Sequence, residues 1–387
     1  MNETKKNRIK TTKFEDVAPT FNRVANIKKN KQANRYDYGK NNLLANELLS
    51  AICASVTASS CRSIQAAFVE GNGFKDDASA KHMVNPTQTA DELYSELADV
   101  VGIFRGIALN VKYTATGDVA RIYALDFQNV RKTEDGRYYS NDKLQEGSDI
   151  KKDRVYYDVY DSNEDKNVRT RRIAEQINEH GKQIGDIIYL FDKKTGQRDY
   201  PIPTSWAAME EIESDAALGR LDWRNIKKGF RPDVLMTTVG EFDQEKDEKT
   251  GKSELDIHNA NLKQFQGEDA ASIFHMNVDD KEQAPTLQPW ESAKKLNETT
   301  EAENRVGRRV CRGMEVPEVL VPGFAKSGQL GNLDEMKTTI KLFNLTIGKK
   351  QRLIQRAFEM LIPDKNWNVE PLDVIQVESI VEAAKVE

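Results

Sequence analysis

Apolar residues fall on one helical face in four stretches of this chain, and between the second stretch and the third they alternate with polar ones. From Asn41 to Gly71, Leu43, Leu44, Leu48, Leu49 and Ile52 share a side that Val56 continues. Small residues across 51–63 allow a close helical neighbour, and Gly71-Asn72-Gly73 stops the run. Thr89 to Gly102 repeats the pattern with Leu93, Leu97 and Val101, and Thr89 with Glu92 forms a capping box. Strand-like runs follow at Gly106–Tyr113, Val119–Leu125, Arg137–Tyr139, Val155–Tyr160 and Gly185–Phe191, with Asp135-Gly136 as a turn between two of them. The alternation through Ala108–Tyr113 predicts a half-buried antiparallel sheet, so residues 41–200 read as an α+β lobe.

Pro201 and Pro203 then end the extended chain, and Thr204 or Ser205 caps a helix running to Lys228, where Gly229 and Pro232 stop it. Glu210, Glu211 and Glu213 lie in its early turns and Arg224, Lys227 and Lys228 in its last, which suits the helix dipole. Its apolar stripe, Trp206, Met209, Ile212, Ala216 and Trp223, is narrow and predicts packing against sister helices, outside a single-chain core. Strand-like Val234–Val239 and Ala271–Val278 flank the polar Asp243–Gly267, with a β-hairpin bearing a long surface insertion as the plain alternative. A polar, charged helix runs from Trp290 to about Met314. An apolar, glycine-bearing loop (315–332) leads from it into a helix with Leu333, Met336, Ile340, Phe343, Ile347, Ile354, Phe358 and Leu361 on one face. After Pro363 the chain is extended, and Val374–Ala384 is weakly helical.

Composition narrows the function classes. With 387 residues, 31% of them charged and a mean hydropathy of −0.68, the chain is polar for a self-contained enzyme and suits exposed or subunit-contacting helices. No run of about 18 apolar residues predicts a membrane span, and no apolar segment behind Met1–Arg8 predicts a secretory signal. The net charge of −5 is uneven: residues 1–40 hold 11 Lys and Arg against 4 Asp and Glu, so a basic arm precedes an acidic body. That arm reads as a solvated tail or as a contact to a neighbouring subunit, a capsid shell or nucleic acid.

Catalytic chemistry finds little support. His82, His180, His258 and His275 stand far apart and read as structural or exposed residues. Cys53, Cys61 and Cys311 lack metal spacing and read as small apolar packing residues. Lys249-Thr250-Gly251-Lys252 lacks the upstream glycine of a phosphate loop, and Gly71-Asn72-Gly73 lacks the third glycine of a dinucleotide fingerprint. A nuclease would need clustered carboxylates at strand ends, for which only Asp118, Asp126 and Asp158 offer themselves. No catalytic residue, metal site or cofactor is expected.

Two segments carry a family likeness. Pro201-Ile202-Pro203, a helix, Asn225-Ile226-Lys227-Lys228-Gly229-Phe230-Arg231-Pro232 and then a strand resembles the wing-to-stem passage of tailed-phage portal proteins. The helix–loop–helix of 290–361 resembles the same family's tunnel-loop signature, and Cys61–Phe74 resembles the opening of its wing. The resemblance spans roughly 40–362 and implies an α+β portal-like subunit with little or no crown. Its parts would be a basic arm (1–40), wing (41–200), stem helix (201–229), clip (230–289), second stem helix (290–317), tunnel loop (318–332), wing helix (333–362) and short tail (363–387).

By that likeness the function would be a non-enzymatic ring, of twelve copies in the family, at one capsid vertex of the virion. It would be assembled in the host cytoplasm, and double-stranded DNA would pass through it during packaging and ejection without sequence preference. Implied partners are further copies of the chain, the major capsid protein, the terminase large subunit and neck or head-completion proteins, with no membrane. Val319, Leu320, Val321, Pro322, Gly323, Phe324 and Gly328 would form the tunnel loop, with Val319, Leu320 and Phe324 at an axial constriction. Glu210, Glu211, Glu213 and Asp215 with Glu291, Glu298, Glu301 and Glu303 would give an acidic bore that phosphates slide past. Lys294, Lys295, Arg305, Arg308 and Arg309 would supply partner charges between subunits or phosphate contacts, the plain alternative being pairs within a helix. Another virion ring protein, a head–tail adaptor, a capsid component or a nucleic-acid enzyme are the competing functions.

Overall fold

A computed structural model describes residues 28–146, 149–194, 199–228, 234–239, 273–278, 292–324 and 333–372. Its centre is a six-stranded mixed sheet in the order β4-β3-β8-β7-β6-β5, built from β3 (Gly106–Tyr113), β4 (Val119–Ala124), β5 (Val130–Lys132), β6 (Tyr138–Ser140), β7 (Val155–Val159) and β8 (Asp186–Phe191). All neighbours are antiparallel except β7 and β8. The expected strands are present within a residue or two, and Gly136 takes the positive φ (89°) needed by the turn joining β5 to β6. The half-buried expectation fails for β3, where every residue but Lys112 is buried. Helix α4 (Ala90–Phe104) lies against β3, and Phe127, in the turn before β5, sits so close to Gly106 that a Cβ there would strike its ring.

The helical layer begins with α1 (Leu44–Ala54) and α2 (Val56–Glu70), where one continuous helix is expected. Ser55 breaks it: the residue is extended (ψ 124°), and its side chain accepts from the Ala58 N–H to cap α2. The break turns the register, so Val56 is 80% exposed and does not continue the stripe of Leu44, Leu48 and Ile52. Helix α3 is the short Asp77–Ala80 turn. Helix α4 carries the expected capping box, with the Thr89 and Glu92 side chains each accepting from the other's backbone N–H. Helix α5 (Lys166–His180) is absent from the apolar pattern because only Arg169 and Ile173 are buried along it. Its ends are fixed by the Asp165 N-cap and by Gly181 in the left-handed region, and Arg172 ties it to the buried Asp186 of β8.

Helices α6 (Met209–Lys228), α7 (Ser292–Gly313) and α8 (Leu333–Leu361) complete the layer, and α8 packs across α2 and α4. Phe74, Tyr94, Phe358 and Trp367 form an aromatic cluster with ring centroids 4.8–6.5 Å apart. Each such ring contributes about 1.5–3 kcal/mol by leaving water. Trp367 and Val369 come from the short tail, which is stitched in by backbone bonds between 72–75 and 368–370.

Residues 28–40, within the stretch read as a basic arm, form the hairpin of β1 (Lys28–Asn30) and β2 (Arg35–Asp37) and a buried Tyr38 stacked 4.6 Å from Tyr200. Residues 1–27 and 373–387 lie outside the described residues, as do the polar segment 240–272 and the turn after α6. Strands β9 (Val234–Val239) and β10 (Ile273–Val278) pair in parallel, which excludes the β-hairpin alternative because a hairpin pairs its strands antiparallel. No described helix is long and apolar enough to cross a membrane.

The paired helices and the loop between them as candidate functional site

Helices α6 and α7 pack against each other, with the N-terminal half of α6 beside the C-terminal half of α7. Gly313 permits this approach, since a Cβ on it would collide with Ala208. The N-terminal half of α6 is buried in the chain's own core through Met209, Ile212 and Ala216, contrary to the expectation of sister-helix packing alone. The reason is that α1 and α2 cover that side. Trp223, further along, is 58% exposed. On α7, Val310 and Cys311 are buried, as is Met314 just beyond its end, and the Cys311 and Cys61 sulfurs lie 3.9 Å apart between α7 and α2.

Two of the carboxylates assigned to a bore face inward. Asp215 accepts from the Ser55 and Thr57 hydroxyls (2.6 and 3.1 Å) and from the Thr57 N–H, so it completes the cap of α2. Asp215→Ala is expected to lower unfolding free energy by roughly 1–3 kcal/mol. An unchanged urea midpoint would show that water replaces the cap at no cost. Glu303 meets Asp222 across the α6–α7 seam. The hydrogen bond shared with Asp222, then burial and the charges of Asp222 and Asp215, push its carboxyl up to about 6.

The remaining site residues divide by helix. Glu210 and Glu213 are exposed on α6 and form no ion pair among the described residues. Glu301 and Arg305 are exposed on α7, together with Arg309 and Arg312, and Arg308 is partly exposed beside them. With Asn304 these residues line an open groove of about 560 Å³. This arginine face is held only loosely: Glu318 of the loop lies 3.6 Å from Arg308 and 3.3 Å from Arg312, and Glu211 of α6 lies 3.8 Å from Arg309. The side chains of Lys294, Lys295 and Glu298, and all of Glu291, lie outside the described residues. The exposed charge is therefore not uniformly acidic. It is glutamate-bearing at the start of α6 and arginine-bearing toward the end of α7.

The loop leaves α7 through Glu315, in the left-handed region (φ 57°), and forms a short 3-10 turn at Glu318–Leu320. Val321 is buried at 2%, while Leu320 and Phe324 pack against the core. Phe324 lies over Gly307, where a Cβ would strike its ring, so the glycine makes a seat for the loop. Val319 is half-buried, and Pro322 and Gly323 are exposed. Gly328 lies outside the described residues.

Beneath the loop is a feature that sequence reading missed. Lys350 of α8 is 7% exposed and donates to the Gln65 side-chain oxygen (2.7 Å), and Gln65 in turn donates to the Met314 carbonyl at the end of α7. A lysine inside the long apolar stripe of α8 was the available signal, and alone it could equally mark an exposed edge. The carboxylates of the nuclease reading are not brought together: Asp118 pairs with Lys166, Asp158 with Arg172, and Asp126 accepts from Asn129. No group of three metal-binding side chains occurs among the described residues.

No protein-family model matches the chain, and no curated protein matches it in sequence. Solved structures do match. A chain from "Neck of native GTA particle computed with C12 symmetry" superposes with a TM-score of 0.52 at 12% identity, covering 88% of this chain and 89% of that one. A chain from "Virion of native gene transfer agent (GTA) particle" gives 0.51 at 12% identity, with 88% of each chain covered. An HK97-family phage portal protein from Corynebacterium diphtheriae gives 0.45 at 10% identity, a score at which too little geometry is shared for an argument to rest on it. At such identities the likeness is one of fold: the α+β subunit described here shares its fold, over 88% of its length, with a chain from the neck of a gene transfer agent particle.

Proposed function

We propose that this chain is the portal subunit of a tailed phage or phage-like particle. Copies would form a ring at one capsid vertex, through which DNA is packaged and later ejected. The observation that carries the reading is the fold shared with a virion neck chain across 88% of this one. The two-helix unit with its apolar loop fits it, since those elements carry the portal-like sequence signatures. The ring holds twelve copies, the symmetry with which the neck of the native GTA particle was computed. The terminase large subunit docks on the ring during packaging and supplies ATP hydrolysis. Neck or head-completion proteins replace it, and the major capsid protein surrounds it. The subunit itself catalyses nothing. It acts in the virion and is assembled in the host cytoplasm.

In this reading residues 41–200 and 333–362 form the wing, 201–229 and 290–317 the stem, 230–289 the clip and 318–332 the tunnel loop. Leu320, Val321 and Phe324 anchor the base of that loop, and the exposed Pro322 and Gly323 face the axis. Glu210, Glu213, Glu298, Glu301, Lys294, Arg305 and Arg308 belong to the bore or to the contacts between neighbours. Light scattering on the full chain, with negative-stain images of the same fraction, tests the proposal. Twelve copies of 43.9 kDa give roughly 530 kDa and a ring with a central hole. A species that stays at the monomer mass at every concentration tried would count against it.

A further inference from the structure

We propose that the arginine face of α7 in one subunit docks against the glutamate face of α6 in the next copy of this chain. The inference rests on the ring reading and adds to it which surfaces meet. In α6 the buried side is Met209, Ile212 and Ala216, and the side toward α7 carries Glu211, Asp215 and Asp222. Its exposed side carries Glu210, Glu213, Ala217 and Leu221. In α7 the buried side is Gly307, Val310 and Cys311, the side toward α6 carries Glu303, Arg309 and Gly313, and the exposed side carries Glu301, Arg305 and Arg312. At about 100° per residue, each exposed face lies more than a quarter-turn from the seam between the helices. The pair therefore presents two different flanks, as the head-to-tail contacts of a closed ring require.

The charges on those flanks match in height. Gly313 lies beside Ala208, Arg309 beside Glu211 and Glu303 beside Asp222, so the helices run antiparallel and level residues can be read off. Glu210 and Glu213 stand level with the Arg308–Arg312 turn. One flank is thus negative at the height where the other is positive. Rotation about a ring axis keeps each residue at one height in every copy. With the helices running along that axis, neighbours meet at that height with opposite charges. A nucleic-acid backbone, negative everywhere, would leave the glutamate flank without a partner.

Arg305→Glu and Glu213→Arg test this, because both residues are exposed and form no ion pair among the described residues. Each variant alone places like charges across every contact, and assembly followed by light scattering is expected to need at least about tenfold more protein. An equimolar mixture is expected to recover wild-type assembly, since alternating subunits restore opposite charges at each contact of an even-membered ring. A folding defect would not be repaired by mixing. If the wild type assembles and both variants assemble equally well, the interface is wrong while the ring reading stands. The interface is equally wrong if the mixture shows no recovery, or if Arg305→Glu weakens only retention of a double-stranded oligonucleotide. A wild type that never assembles would defeat the ring reading and this interface together.

Discussion

Arg131→Met is expected to lower the unfolding free energy by roughly 3–5 kcal/mol, because several buried oxygens lose their hydrogen-bond donor at once. The Arg131 side chain is fully buried on β5. It donates to the Asn42 side chain and carbonyl (2.7 and 2.6 Å) and to the Gln128 and Val130 carbonyls (2.8 Å each). Its guanidinium also lies 5.7 Å from the centre of the Tyr38 ring. Among the described residues no carboxylate pairs with it, so neutral oxygens alone replace its water. Methionine fills most of the volume but leaves several buried carbonyls without a donor, each at about 1–3 kcal/mol. The loss should be local at first, because the same cage fixes Asn42 and Tyr38 at the junction between the β1–β2 hairpin and α1. Urea unfolding gives the magnitude, and limited proteolysis near residues 28–40 gives the location. Arg131→Lys keeps the charge without the planar fork and is expected to fall between. A methionine variant with an unchanged urea midpoint would mean that the cage contributes nothing to stability.

Lys350→Met should act in the opposite direction and depend on pH. Burial, reinforced by the nearby Arg105 and Lys194 charges and only partly opposed by Glu315 and Asp192, pulls the Lys350 ammonium down to about 8 from its usual 10.5. Below pH 8 the lysine is charged in both the folded and the unfolded chain, so the folded state carries the whole cost of burying it. Between pH 8 and 10.5 the unfolded chain still holds the proton while the folded one has released it. Stability from this group therefore rises with pH across that window. The penalty at pH 7 amounts to roughly 3 kcal/mol. Methionine removes it but strands the Gln65 oxygen that Lys350 now satisfies, which offsets about 1–2 kcal/mol. The expected result is a variant more stable than wild type at pH 7, with the advantage gone near pH 10.5. Denaturation of both proteins at the two pH values measures it. A variant less stable at pH 7, or an advantage equal at both, would show that the ammonium is not desolvated as its surroundings imply.

Both residues illustrate why much of the site was not legible in the sequence. Arg131 sits in a strand only three residues long, with no apolar run to mark it. Lys350 interrupts an apolar stripe, but the partners that make it costly come from α2 and from the end of α7, far away along the chain. Asp215 and Glu303 belonged to an acidic set that looked uniform along the chain. The folded α6–α7 seam turns one to cap α2 and the other toward Asp222, leaving Glu210 and Glu213 exposed. Leu320 and Phe324 looked exposed because no single-chain partner could be foreseen for them. Gly307 supplies that partner by lacking a side chain, which only the packed structure reveals.

Elements whose information is local can be read directly from the order of residues. The capping box of α4, the strand-like runs of β3 and β8, the glycine stop after α2, the proline entry to α6 and the long apolar face of α8 each lie within a few residues of the structure they specify. Their order along the chain was enough to indicate an α+β subunit and to suggest its relatives. Other features emerge only when the chain is packed: the break at Ser55, the polar helix α5, the parallel pairing of β9 with β10, and which charges stay in water. These depend on contacts between residues far apart in the chain, where the cost of burying a polar group or stranding a hydrogen bond outweighs local preference.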